Sequence, residues 1–172
     1  MESKITGMLK PSEYDPDFFE SEPFRIPYFE NKKIRIGFVE PLHKPYLVGA
    51  DKALANFLEL DTTDRIKDSG KVKLYYDEIL KHGYTQRLYI KDNQDIWNYA
   101  TPTEIIIEWD ENENFYVCVS CECKWEEEHG VYLVFENGRT LTRVGEHDGH
   151  FTDEKPESDT ISVKSKTWWK FW

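Results

Sequence analysis

The chain has 172 residues, enough for one domain with a proper core and short for two. Its formal charge of −11 is spread along the whole length, with no clustered Lys/Arg footprint for nucleic acid. Such an acidic surface suits a basic protein partner, or serves solubility alone.

The opening MESKITGMLK lacks the apolar core of a signal peptide, and no stretch approaches the roughly 20 apolar residues of a membrane span. Three cysteines crowded at Cys118, Cys121 and Cys123 do not frame a disulfide scaffold, so a cytoplasmic protein is expected. Residues 1–22, polar and broken by Pro11 and Pro16, read as an irregular leader that Tyr14, Phe18 and Phe19 anchor on the domain. From Phe24 the pattern alternates: Phe24, Ile26 and Tyr28, then Ile34, Ile36 and Phe38, around a polar loop at Glu30-Asn31-Lys32-Lys33. That predicts a hairpin, and Pro23 and Pro27 place its first strand at a sheet edge.

Leu47, Leu54, Phe57 and Leu58 recur at the three-and-four spacing of an amphipathic helix over 45–60. Asp61-Thr62-Thr63 caps a second helix that runs to about His82. A break is expected at Ser69-Gly70, with Leu74, Ile79 and Leu80 on the apolar side and Gly83 as the stop. The C-terminal half is β-rich. A short strand over 87–91 and a turn at Asp92-Asn93 precede a β-branched run over 103–109 and a polar loop over 110–114. In the strand 115–124, alternation sets Phe115, Val117, Val119, Cys121 and Cys123 on one face and Cys118 on the other. Strands 131–135 and 140–144 are joined by Asn137-Gly138, a strong hairpin signal.

The expected fold is α+β, an antiparallel meander packed against helices in one domain over 23–151. Its core should hold Ile105, Ile107, Val117, Val119, Cys121, Leu133 and Phe135 beside Leu54 and Phe57. Residues 152–167 read as a charged linker, and 168–172 as an aromatic tail, WWKFW.

Residues able to do chemistry gather between Cys121 and His150. Cys121 and Cys123 share a strand face and, with His129, His147, Asp148 or His150 folded over them, would make a metal site. The competing reading is two small hydrophobes in the core. Glu126, Glu127, Glu128 and His129 form an acidic corner, either a solvated loop or a source of acid–base groups. Glu146-His147-Asp148-Gly149-His150 forms a second corner, where an Asp-Gly turn explains the spacing as well as a metal does. No nucleophile elbow, metalloprotease helix or glycine-rich phosphate loop occurs, so no catalytic residue and no cofactor is assigned.

The stretch WEEEHGVYLVFENGRTLTRVGEHDGH, Trp125 to His150, resembles the closing motif of a family of uncharacterised bacterial cytoplasmic domains. Ile96-Trp97 and Thr101-Pro102-Thr103-Glu104-Ile105 share the likeness, which extends over about 24–152. Members resemble immunity proteins that neutralise toxins, which implies a non-enzymatic chain that binds a protein, with a basic toxin as the candidate partner. The expected contacts are Trp125, Glu126, Glu127, Glu128, His129 and Asp148, with Trp168, Trp169 and Trp172 of the tail docking on the domain, on a partner or on a second copy. The alternative is a metal-binding protein or metal-dependent enzyme built on His129, His147 and His150.

Overall fold

The computed structural model describes residues 1–13, 18–39, 43–83, 85 and 87–153. Eleven strands and two α-helices follow one another along these residues. β1 (Glu2–Ser3), β2 (Gly7–Met8), β3 (Lys10–Pro11) and β4 (Phe19–Glu20) come first. β5 (Phe24–Ile26) and β6 (Lys32–Ile34) form a hairpin shorter than expected: Tyr28 falls in a 3-10 turn at Pro27–Phe29, and Ile36 and Phe38 belong to a separate strand of the main sheet. β7 (Ile36–Phe38), α1 (Lys44–Leu58) and α2 (Thr62–Lys81) follow. A 3-10 segment at Asn93–Tyr99 leads into the meander β8 (Ala100–Trp109), β9 (Phe115–Cys123), β10 (Glu126–Glu136) and β11 (Thr140–Gly145).

The main sheet has the order β11-β10-β9-β8-β7-β4-β3. Its neighbours are antiparallel except for β7 and β8, where Ile36 pairs in parallel with Ile105 and Phe38 with Ile107. The fold is α+β, as the pattern predicts. No helix among the described residues is long and apolar enough to cross a membrane.

Strand alternation decides which side chains meet the helices. Ile105, Ile107, Val117, Val119, Cys121, Leu133 and Phe135 are buried in one cluster with Leu54 and Phe57, the core foreseen from the pattern. In α1 the buried positions Tyr46, Ala50, Ala53, Leu54 and Phe57 trace one helical stripe. Tyr46 fixes the helix to the sheet: its hydroxyl donates to the Ile107 carbonyl at 2.7 Å and accepts the Val39 N–H at 3.0 Å.

At the start of α2, Asp61 accepts the Thr63 N–H at 2.7 Å while Asp64 accepts the Asp61 N–H at 3.1 Å, a capping box. The helix then runs unbroken through Ser69-Gly70 to Lys81. Ser69 accepts the Trp97 indole N–H at 2.9 Å. This docking of the 3-10 segment outweighs the cost of about 1 kcal/mol for a helical glycine. Leu74, expected to face the core, is 65% exposed, and Val72 and Tyr76 take its place.

Two other local expectations change. Residues 87–90 form no strand, and Asp92-Asn93 starts a 3-10 segment capped by Asp92 and Asp95. The leader is not irregular. β1 pairs with β2, and β3 and β4 extend the main sheet. The Ser3 hydroxyl donates to Asp51 at 2.6 Å and the Lys4 N–H to the same carboxylate at 2.9 Å. Leu9, Phe18 and Ser21 are buried. Polar residues with specific partners hold this segment down. Tyr14 lies outside the described residues.

Candidate functional site

Both corners singled out in the sequence lie at one end of the sheet. The first is not a loop. The turn is Lys124-Trp125, and Glu126 already pairs with Cys123 at the start of β10. The register then shifts between Glu126 and Val131, so Glu127, Glu128 and His129 bulge from an extended strand. Gly130 ends the bulge with φ +70°, and a β-carbon there would sit 2.4 Å from the Cys121 carbonyl oxygen.

Trp125, expected as a partner contact, is only 2% exposed. Its ring packs edge-on against Tyr76 of α2, centroids 5.9 Å apart, which makes it a core residue. The Glu126 side chain is largely covered, and its Oε1 lies 3.4 Å from His129 Nδ1. Glu127, Glu128 and His129 stand in solvent.

In the second corner Glu146 to His150 are all exposed, yet ordered by contacts. Asp148 accepts the Arg143 guanidinium at 2.6 Å and the His150 N–H at 3.1 Å. The His147 ring stacks on Tyr132, 4.4 Å between centroids. Asp148 is therefore already engaged within the chain, holding a cation whose side chain is 13% exposed.

Tyr75 of α2 joins the two corners. Burial first, then the charge of Glu146, with Cys123 and Glu126 behind it, raises its hydroxyl above the usual tyrosine value. That hydroxyl is buried without a hydrogen-bond partner among the described residues. Carboxylates twenty positions apart in sequence thus act on one atom. No pattern in the sequence signals this meeting, because Tyr75 sits mid-helix with ordinary neighbours.

The metal alternative does not assemble. Alternation sends Cys121 and Cys123 inward, where burial raises the Cys121 thiol and pushes the Cys123 thiol up to about 11. A neutral thiol is a poor metal ligand. His147 instead lies on Tyr132, across the sheet from these cysteines. Among the described residues no three His, Cys, Asp or Glu side chains group to hold an ion. Cys118 lies on the opposite strand face, as expected, buried with Tyr116, Tyr132 and Val134. Trp168, Trp169 and Trp172 lie outside the described residues.

One further concavity was not foreseen. A cleft of about 490 Å³ opens between α1 and the ends of two hairpins, lined by Lys52, Asn56, Glu113, Phe115, Asn137 and Arg139 among others. Arg139 is held there by Asn56 at 2.8 Å and Glu59 at 3.4 Å.

Compared with known families, residues 8–151 match the family described as Domain of unknown function (DUF6985). The chain belongs to this family. The match starts at residue 8, in keeping with the packed leader, and ends at Phe151 beyond the second corner. Neither the curated proteins nor the solved structures contain a match to the chain.

Proposed function

We propose that this DUF6985 protein is a non-enzymatic, protein-binding module of immunity type, a bacterial cytoplasmic chain that neutralises a basic toxin. The observation that carries this reading is the convergence of the two acidic corners around Tyr75. Glu127, Glu128 and Glu146 stand exposed on the two corners. A surface of one sign attracts and steers a partner of the other, as a chain of formal charge −11 would do. Ordering of the second corner by Arg143, Asp148 and the His147–Tyr132 stack supports the same reading, since a pre-set surface loses less entropy on binding. The thiols buried in the sheet offer no accessible nucleophile.

The test is co-purification of the untagged protein from the cells that make it, followed by mass spectrometry. A basic protein should be recovered at low salt and lost when Glu127 and Glu128 are both changed to Lys. Recovery of a bound small metabolite and no protein would overturn the reading.

A further inference from the structure

The cleft between α1 and the two hairpin tips lies at the end of the sheet away from the acidic corners, since Glu136 pairs with Tyr116 there and Glu126 with Cys123 at the other end. Hydrogen bonds tie its walls to one another. The Asn137 N–H donates to the Phe115 carbonyl at 2.7 Å, and the Asn56 amide donates to the Asn137 carbonyl at 2.9 Å. Asn56 in turn accepts the Arg139 guanidinium at 2.8 Å. Gly49 shapes the apolar side of the cleft. A β-carbon at this helical position would lie 2.1 Å from the Phe115 ring, so a residue that helix interiors disfavour lets that ring rest against α1.

Two opposite charges on these walls are left over. Lys52 of α1 and Glu113 of the β8–β9 loop both line the cleft and stand exposed, and neither side chain has a hydrogen bond or ion pair among the described residues. Arg139, the other cation, is already answered by Glu59. Glu113 is also placed against backbone preference. Its φ of 61° is left-handed, a region that Gly, Asn and Asp enter most easily. The loop is fixed around it: the Asp110 carboxylate accepts the N–H groups of Asn112 at 2.8 Å and Asn114 at 2.9 Å, and the Asp110 carbonyl accepts the Glu113 N–H at 3.0 Å. Asparagine thus stands on both sides of the left-handed position, and glutamate on it. A carboxylate kept where the backbone resists it, beside an aromatic ring and with a free ammonium on another wall, suits a ligand that carries both charges.

We propose that this cleft binds a short zwitterionic peptide, its carboxylate at Lys52, its amine at Glu113 and an apolar side chain on Phe115. The cleft volume of about 490 Å³ falls within the range of about 300–1,000 Å³ that holds small ligands, and a single free amino acid would leave it partly empty. Three extended residues reach about 10 Å, a length suited to bridging two walls. Because the walls are already tied together, little ordering is needed on binding. This site is separate from the Tyr75 end assigned to the protein partner, and the proposal does not depend on that assignment.

The test is an amide NMR titration of the full chain with the unblocked tripeptide Ala-Phe-Ala at about pH 6.5, where both ends of the peptide are charged. Shift changes should cluster at Gly49, Lys52, Glu113, Phe115 and Asn137. The N-acetylated and the C-amidated forms of the peptide should each bind about two- to fivefold more weakly, as expected for losing one exposed ion pair. Glu113→Gln should weaken the unblocked peptide by the same factor and leave the N-acetylated form unaffected, which a purely structural role for Glu113 would not produce. Lys52→Gln should act in the same way on the unblocked and C-amidated forms. Equal binding of blocked and unblocked peptides overturns the proposal, as do shifts confined to other surfaces or no shifts with the peptide in large excess.

Discussion

Gly138 is the tightest contact between the meander and the helices, and replacing it by Ala separates two costs. The residue has φ +68°, and an added β-carbon would lie 1.9 Å from the Ala53 carbonyl oxygen, 2.9 Å from the Ala53 carbonyl carbon and 3.0 Å from the Phe57 nitrogen. These are backbone atoms of α1 and cannot swing aside. A tolerable carbon–oxygen approach is about 3.3 Å, so hairpin and helix must part by about 1.4 Å. That gap falls in the layer where Ala53 and Phe57 meet Phe135, whose ring centroid is 4.9 Å from that of Phe57. Overpacking of this kind costs about 1–3 kcal/mol, and the left-handed backbone adds about 1–2 kcal/mol for a residue with a β-carbon. Gly138→Ala should therefore destabilise by about 2–5 kcal/mol in urea unfolding. Gly149 supplies the control, with φ +82° and nothing within 4 Å of the added atom, so Gly149→Ala should show the backbone cost alone. Equal losses in the two variants, within about 0.5 kcal/mol, would refute the claim that close approach to α1 determines the glycine at 138.

Leu133→Ala and Phe135→Ala remove fully buried side chains and should each cost about 2–5 kcal/mol by chemical denaturation, whereas a loss under about 0.5 kcal/mol would mean the sheet faces are reversed. Asp148→Ala leaves the Arg143 guanidinium without its carboxylate and should cost about 1.5–3 kcal/mol, visible as a lowered melting temperature; no change would mean that the pair contributes nothing. Alkaline pH should weaken the fold. The Cys123 thiol is pushed up to about 11 by burial, the other two thiols are raised in the same direction, and the Tyr116 hydroxyl is pushed up to about 12. The unfolded chain releases thiol protons from about pH 8.5, which the folded chain retains, so stability is complete below that value and falls as pH rises toward about 11. A urea midpoint unchanged between about pH 8 and pH 11 would contradict this assignment.

The meander, the two helices and the core could be read from periodicity, because alternation and the three-and-four spacing follow directly from one buried face. The helix start at Asp61 and the stop at Gly83 were legible for the same local reason: a side-chain acceptor and a left-handed residue leave a mark in the sequence. What could not be read depended on partners distant in sequence. Ser69-Gly70 looks like a break until Trp97 docks on it, and the leader looks loose until Asp51 binds Ser3 and Lys4. Strands of two residues carry no period at all. At the candidate site, the polarity of Glu127, Glu128 and Asp148 was plain in the sequence. The burial of Trp125 and the position of Tyr75 between the corners were not, since both depend on how α2 crosses the sheet end.

The parallel pairing of β7 with β8 has a consequence for how the protein is made. Ile36 finds its partner Ile105 roughly seventy positions later in the chain, a non-local contact of the kind that slows folding. The four strands of the meander, by contrast, connect through short turns and can pair with one another first. During synthesis at about 5–20 residues per second, roughly 4–14 s pass between the appearance of β7 and that of its neighbour. For that interval α1 and α2 carry Tyr46, Leu54, Phe57 and Tyr76 without the sheet that later covers them. Phe57 stays uncovered longer still, until Phe135 of β10 has emerged, and such exposed apolar surface is what makes a partly made chain prone to aggregate.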